Sequence, residues 1–569
     1  MTGAGRGAAP HRWRRAAGFI VAVSCAIFFL AHSPGQPPAA AKRPHFVDVA
    51  PLSQFAYTSN NSFTGRKYFP QPMCGGVALF DYDNDGRLDI FLTNGAKLPE
   101  MQKTGPSYHN CLLRQKPGGT FEDVTAKAGL AGAGLDFNFG VAVGDYDNDG
   151  YEDLFLCAAG RNTLYHNNGD GTFTDVTEVS GIGGKPRNTL SVAAAWFDYD
   201  NDGLLDLIVS NYTIWTPQTD ILCSARGREF YCDPRRYASV PHRLYHNLGG
   251  GKFADVTDQA GIGASPGKGM GISIADFNDD GWPDVFLAND TEPNSLFINR
   301  RDGSFHEEGL EWGVAYDDTG RAVSSMGCDA KDFDNDGKVD IFYNDLMGQV
   351  WALLKNRGTF FDSVSFASQI RKLSRLYSGW SNGFIDYNND GWKDIYSSNG
   401  DIEMPDESAP QHDAMFENVE GKNFVDVSGE MGKDFLHKGY QRGSAFGDLN
   451  NDGSLDLVVT SLNERPRILM NSADSGNHWL LLNLVGRKSA RDAIGAKVKL
   501  TTASGRTLYN HVSVSVGFMS SSDKRVHFGL GQETKIESLE IRWPSGILQT
   551  LRNVAADRIL KIEEPAAKE

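Results

Sequence analysis

Short apolar runs alternate with polar residues along most of the chain, and Gly, Asn or Asp cuts each run after a few positions. "FGVAVGD" (139–145) leads into an acidic turn and then into "DLFL" (153–156), and "LYHNNGDGTFTDVT" (164–177) follows with a Gly-rich turn at its middle. A period of two bounded by turn residues predicts strands. The order strand, acidic turn, strand, Gly-rich hairpin predicts four antiparallel strands per unit. "LYHNLGGGKFADVT" (244–257) and "LFINRRDGSFHEEG" (296–309) repeat the second hairpin.

The acidic turn sets the repeat. "DYDNDGRLD" begins at Asp81 and returns from Asp145, Asp198, Asp276, Asp332, Asp386 and Asp448, seven copies spaced by 64, 53, 78, 56, 54 and 62 residues. That spacing suits a four-stranded unit, so the predicted fold is all-β, a seven-bladed β-propeller over 45–475. Six copies of a last-strand segment such as "FTDVT" follow the loops, and a seventh, "FVDVA" (46–50), precedes the first. The N-terminal segment is therefore expected to supply the outer strand of the last blade and close the ring. Residues 477–564 alternate over about seven short strands and predict a small β-sandwich.

Residues 1–41 differ: "HRWRR" is followed by "AAGFIVAVSCAIFFLA" (16–31) and a small-residue tail. This predicts a signal peptide or a retained N-terminal anchor, with membrane contact only in the second case. Cleavage would remove Arg6, Arg12, Arg14 and Arg15 from a net charge of -17 and leave -21. So acidic a chain lacks the basic footprint of nucleic-acid binding. Its counter-charge is expected to be metal.

In D-x-[DN]-x-D-G-x-x-D, positions 1, 3 and 5 present side-chain oxygens, Gly at 6 allows the turn, position 7 offers a carbonyl and Asp at 9 closes the cage. Hard oxygen donors in that number suit Ca²⁺. The expected ligands are Asp81, Asp83, Asp85 and Asp89; Asp145, Asp147, Asp149 and Asp153; Asp198, Asp200, Asp202 and Asp206; Asp276, Asn278, Asp280 and Asp284; Asp332, Asp334, Asp336 and Asp340; Asp386, Asn388, Asp390 and Asp394; and Asp448, Asn450, Asp452 and Asp456. Up to seven Ca²⁺ would bind. The alternative is a set of Asx turns without metal.

Export permits disulfides. Cys223 and Cys232 share one insertion, and Cys74 and Cys111 belong near one face, so both pairs are expected as disulfides, with Cys157 and Cys328 as buried thiols. The connections after the second strand are long at 95–111, 212–242 and 400–414. Long loops on a rigid ring carry recognition. The largest supplies Trp215, Tyr231, Arg235 and Arg236 as candidate contacts for a protein or polysaccharide, an anionic one given the Arg side chains. The alternative is that this insertion only packs on its neighbours. The chain is expected to be a monomer.

No local catalytic motif stands out. "GASPG" (263–267) fits G-x-S-x-G, but Pro266 follows Ser265 in a Gly-rich connection. His242 and His246 lie four apart in a strand-like stretch, where His246 repeats His166. Two readings stay open: a calcium-stiffened binding scaffold, or a propeller enzyme (lyase, hydrolase or quinone-dependent dehydrogenase) with a central-pocket site.

On "GVAVGDYDNDGYEDLFL" (140–156) and its repeats, the chain resembles the FG-GAP/VCBS propellers of integrin α subunits and bacterial surface proteins. "NHWLLLNLVG" (477–486), "RDAIGAKVKL" (491–500) and "SVSVGFMSSSDKRVHFGLG" (513–531) resemble the ASPIC/UnbV domain. The two together are the arrangement of the cartilage acidic protein family, and "YCDPRRY" (231–237) is similar to a Cys-containing insertion found there. The resemblance implies a secreted, calcium-binding interaction protein with no agreed enzymatic activity. "SSSD" (520–523) departs from the family's more polar Ser-Gln turn.

Overall fold

The computed structural model describes residues 43–183, 188–402, 409–473 and 475–566; the predicted export segment lies outside them. Blade 1 consists of Val77–Phe80, Asp89–Leu92, Cys111–Gln115 and Phe121–Asp123, paired antiparallel in chain order. Six more four-stranded units follow, beginning at Phe137–Gly144, Thr189–Phe197, Gly269–Ala275, Cys328–Lys331, Gly379–Ile385 and Gln441–Gly447. The first strand of each packs against the first strand of the next, and that of blade 7 packs against that of blade 1. This closed cycle is a β-propeller. Its closing strand is Phe46–Asp48, which pairs with Arg467–Asn471 of blade 7. The segment "FVDVA" thus fills the edge that would otherwise invite pairing with another chain.

Apolar residues on both faces of each blade form cores between neighbouring blades, as Phe80, Phe91, Val141, Val143 and Leu154 do between blades 1 and 2. Beyond the ring lie a three-stranded sheet (Val526–Gly531, His478–Val485, Arg558–Glu563) and a four-stranded sheet (Thr507–His511, Lys497–Thr502, Lys535–Arg542, Leu548–Ala555). Leu480, Leu482, Val498, Leu500, Phe528, Leu539 and Ile541 share their core.

One segment joins the two parts. Residues 512–525, between Thr507–His511 and Val526–Gly531, run into the centre of the ring. Ser521 exchanges backbone bonds with blade 1 (Leu79 N to Ser521 O, 3.0 Å; Ser521 N to Val77 O, 2.9 Å). Met519 O accepts from Val141 N of blade 2 at 3.2 Å, and Gly517 N donates to Cys328 O of blade 5 at 2.8 Å. Ser515 Oγ donates to Ile272 O of blade 4 at 3.1 Å, Ser381 Oγ of blade 6 accepts from Phe518 N at 3.0 Å, and Phe446 O of blade 7 accepts from Asp523 N at 3.0 Å. Phe518 and Met519 are fully enclosed among Phe139, Val192, Met270, Met326 and Trp380. A Cβ at Gly76 would stand 2.8 Å from Met519 O, so the blade wall needs glycine there. The "SSSD" variation falls in this plug: Ser521 and Ser522 hydroxyls accept the Val143 and Phe446 amides at 3.3 and 3.1 Å.

Candidate metal centres and binding face

Each acidic turn joins the first and second strands of a blade. In loop 2, Asp145 Oδ1 and Oδ2 accept the amides of Asp149 and Gly150 at 3.0 and 2.9 Å, and Asp149 Oδ1 accepts that of Tyr151 at 2.9 Å. The other six loops repeat this pattern, from Asp81 with Asp85 and Gly86 to Asp448 with Asp452 and Gly453. Position 9 is an anchor: Asp153 Oδ2 accepts Tyr146 N at 3.3 Å and Oδ1 accepts Asn167 N, from the third strand, at 2.7 Å. Carboxylate oxygens of Asp81, Asp83 and Asp85 lie within 4.8 Å of one another, as do those of Asp145, Asp147 and Asp149 and of Asp198, Asp200 and Asp202.

Position 3 divides the loops into two kinds. Asp83, Asp147, Asp200 and Asp334 each keep a buried Oδ1 with no hydrogen-bond partner. In the other three loops the residue is Asn, and its amide is used locally. Asn278 Nδ2 donates to Asp280 Oδ2 at 3.0 Å while its Oδ1 accepts Asp280 N at 3.1 Å. Asn388 and Asn450 do the same with Asp390 and Asp452. An orphaned buried carboxylate oxygen among other carboxylates is costly unless a cation meets it. In these four loops a basic side chain from the third strand reaches only Oδ2 of the position-3 Asp, so Oδ1 is left as a donor that a hard divalent ion would satisfy.

Burial, reinforced by neighbouring carboxylates, pushes Asp89 and Asp198 up to about 8. Burial likewise pushes Asp153 to about 7. Side chains from the third strand answer this charge. His166 Nδ1 lies 3.3 Å from Asp153 and 3.4 Å from Asp147, and His246 Nδ1 lies 3.1 Å from Asp206. The Asp153 carboxylate 3.3 Å away holds His166 up at about 8. Arg114 takes the same place in blade 1, 2.7 Å from Asp83, and Lys355 pairs with Asp334 and Asp336 in blade 5. The repeat "LYHN" carried this signal: its third residue faces the loop. His242, by contrast, is buried in the blade core and held down near 4 by burial. Ser265 ends the short helical turn Ile262–Ala264 and sits on no strand-to-helix elbow.

Position 4 is a second feature that the sequence reading passed over. Asn84 Nδ2 donates to Gly150 O of the next loop at 2.9 Å, Asn148 to Gly203 O at 3.0 Å, Asn201 to Gly281 O at 3.4 Å, Asn335 to Gly391 O at 3.0 Å and Asn389 to Gly453 O at 3.1 Å. Asn451 closes the circle onto Gly86 O at 3.1 Å. Each of these Asn residues has positive φ, which Asn tolerates better than most. The chain of links breaks once, where position 4 is Asp279, which bonds Lys497 of the sandwich at 2.7 Å. The sandwich rests on this rim elsewhere too, with Arg491 N on Asn148 Oδ1 at 2.8 Å and Arg525 on Asn451 Oδ1 at 2.7 Å.

The opposite face carries the long insertions. Cys223 and Cys232 are bonded at an S–S distance of 2.08 Å. Cys74 and Cys111, expected as a second pair, are separate buried thiols, as are Cys157 and Cys328. Cys74 packs with Tyr68, Met73 and Phe139, whereas Cys111 packs with Leu92 and Leu113 in another core, so sharing a face did not bring them together. Trp215 and Tyr231 also correct the expectation that they meet a partner. Trp215 is 2% and Tyr231 6% exposed. Trp215 Nε1 donates to Asp220 at 2.8 Å, its ring meets Tyr68 edge-on, and the Lys67 ammonium lies over the Tyr231 ring at 4.7 Å. The insertion folds its large rings onto residues 66–69 because that removes apolar area from water. Arg235 and Arg236 do face solvent, with Leu222, Arg226, Arg228 and Phe230 beside them in the sequence. Part of the 400–414 connection lies outside the described residues.

The FG-GAP-like repeat profile matches residues 81–156, 145–209, 218–287, 276–343 and 332–397, and the ASPIC and UnbV profile matches 486–569. The chain belongs to the FG-GAP-like repeat family and carries an ASPIC and UnbV domain after the propeller. Among characterised relatives it is homologous to cartilage acidic protein 1. The Homo sapiens protein is 26% identical over 530 residues, covering 87% of this chain and 72% of the relative. The Mus musculus protein is 25% identical over 531 residues, covering 87% and 74%. Among solved structures, the BP39L lectin from Burkholderia pseudomallei aligns with a TM-score of 0.45 at 10% identity, over 70% of this chain and 97% of the lectin.

Proposed function

We propose that this chain is an exported, calcium-stiffened propeller that holds an anionic glycan or acidic protein on the face opposite its acidic loops. The observation that carries the calcium reading is the orphaned Oδ1 of Asp83, Asp147, Asp200 and Asp334. Ca²⁺ would be held by the side chains of positions 1, 3 and 5 and a carbonyl of position 7, most firmly in the four all-Asp loops. The Cys223–Cys232 disulfide supports an oxidising compartment.

Residues 514–522 occupy the ring's centre, where the enzyme alternative would place its site, and this favours the binding reading. Recognition then falls to the surface. Leu222, Arg226, Arg228, Phe230, Arg235 and Arg236 combine apolar area with positive charge on an acidic protein, which steers an anionic partner. A glycan and protein array probed in millimolar calcium would identify the partner. Replacing Arg226, Arg228, Arg235 and Arg236 with Glu should then weaken that partner at least about tenfold with melting unchanged, since charge complementarity is lost. Full affinity in the variant would move the site elsewhere.

A further inference from the structure

Between blades 4 and 5, on the face away from the acidic loops, lies a second group of acids. The strand Asp284–Asn289 runs out into Asp290, and Asp340–Tyr343 runs out through Asn344 into Asp345. Asp290 is 4% and Asp345 0% exposed. Residues 323–326 pass between the two strand ends. Thr291 N donates to Val323 O at 2.8 Å, Ser324 forms a β-bridge with Asp290, and Met326 N donates to Asn344 O at 3.0 Å.

The polar side chains of Asp290, Thr291, Ser325 and Asp345 each keep at least one oxygen without a partner. Neither oxygen of Asp345 has a hydrogen bond. Asp290 Oδ2 takes the Tyr212 hydroxyl at 2.6 Å and its Oδ1 takes nothing. The hydroxyls of Thr291 and Ser325 are also unpartnered. Lys268 pairs with Glu292 at 2.6 Å and its charge also acts on Asp290, Arg321 lies 3.6 Å from Asp317, and Asp345 faces only the further acids Asp290 and Asp317.

The Asp290 charge adds to burial in pushing Asp345 up, and buried carboxylates that act on one another cannot both stay ionised and unpaired. A proton would satisfy one oxygen of the group, whereas a cation satisfies all of them together. Oxygen-only donors with two carboxylates select a hard divalent ion. We propose that Asp345 and Asp290 hold a calcium-class cation that clamps blade 4 to blade 5, apart from the seven acidic loops. The location gives the clamp a purpose. The link from position 4 to the next loop is missing at this junction, because Asp279 replaces Asn and has no amide to offer Gly337.

Two measurements test this on the full mature chain. Native mass spectrometry in calcium should count one ion fewer in Asp345→Asn than in the parent, and an unchanged count would overturn the proposal. Because Asp345→Asn could fail to fold, the parent protein gives the second readout. Crystals soaked in saturating Tb³⁺ should show an anomalous peak within ligand distance of Asp345 and Asp290, and its absence there would overturn the proposal. Trp351, whose Nε1 donates to Asp345 O at 2.7 Å, should sensitise emission from that ion.

Discussion

Exchanging the two kinds of position 3 separates metal binding from turn formation. In Asp200→Asn, the new amide should copy Asn278, with Nδ2 on the position-5 carboxylate at about the 3.0 Å seen to Asp280 and Oδ1 turned to a loop amide. Without metal, the change removes one of three crowded charges and adds a hydrogen bond to a charged group, worth about 1.5–3 kcal/mol, against the loss of the Asp200 contact with His246 at 3.6 Å. Asp200 is about a quarter exposed, so about 1 kcal/mol of stabilisation is the reasonable figure. With metal the balance reverses. A site with Kd of about 10⁻⁴ to 10⁻³ M, in about 5 mM calcium, adds about 1 to 2.3 kcal/mol to folded stability. Urea unfolding in calcium and in EGTA should show the calcium-dependent part of the stability shrinking by about that amount, with the variant more stable than the parent in EGTA. Asn278→Asp should behave in the opposite sense. Equal destabilisation of Asp200→Asn in both buffers would refute the assignment of the orphaned oxygens to an ion.

In EGTA the parent should lose stability as pH rises from about 4 to about 8. Asp89, Asp153 and Asp198 sit at about 8, 7 and 8 in the folded chain, against about 3.9 unfolded. The folded state therefore binds more protons, and the contribution is fully present below the unfolded value and lost through the folded one. Calcium should flatten the dependence, and melting that rises with pH in EGTA across this window would contradict it. Thiol counting on unreduced, unfolded protein should find Cys74, Cys111, Cys157 and Cys328 free and one cystine between Cys223 and Cys232. A further thiol at Cys25 would report retention of the N-terminal segment. Phe518→Ala, which empties a buried ring 5.2 Å from Trp380, should cost about 3–5 kcal/mol. It should also expose 512–525 to limited proteolysis; resistance equal to the parent's would deny the plug its role.

The fold was legible because its signals are local and repeated. The seven copies of D-x-[DN]-x-D-G-x-x-D mark the first hairpin of each blade, and "FVDVA" betrays the closing strand by matching "FTDVT". The position-3 difference was also visible as Asp against Asn, but its consequence needed the amide geometry at Asn278. Long-range contacts were not legible. Nothing in "SVSVGFMSSSD" separates a plug from an ordinary loop, since Phe518 finds its apolar surroundings on strands that lie up to some hundreds of residues away, such as Phe139. The aromatic insertion misled for the same reason. Trp215 and Tyr231 have the composition of an interface, and only residues 66–69, distant in sequence, show that the chain itself covers them.

The acidic loops are a circle more than seven separate sites. The carbonyl of Gly150 accepts Asn84 from the loop before, while Asn148 of the same loop donates to Gly203 in the loop after. Except between the fourth and fifth loops, where Asp279 makes no such link, an ion that fixes one loop would fix a partner of its neighbour, and ordering cost met at the first site is partly spared at the second. The sandwich rests on the same rim through Arg491 and Arg525 and sends residues 512–525 down the axis. Calcium bound as proposed would act on the same strand ends as rim and plug, so adding metal should stiffen the join between propeller and sandwich as well as the ring. If the proposed function holds, ions that never touch the partner set its affinity through the blades that carry the exposed Arg side chains.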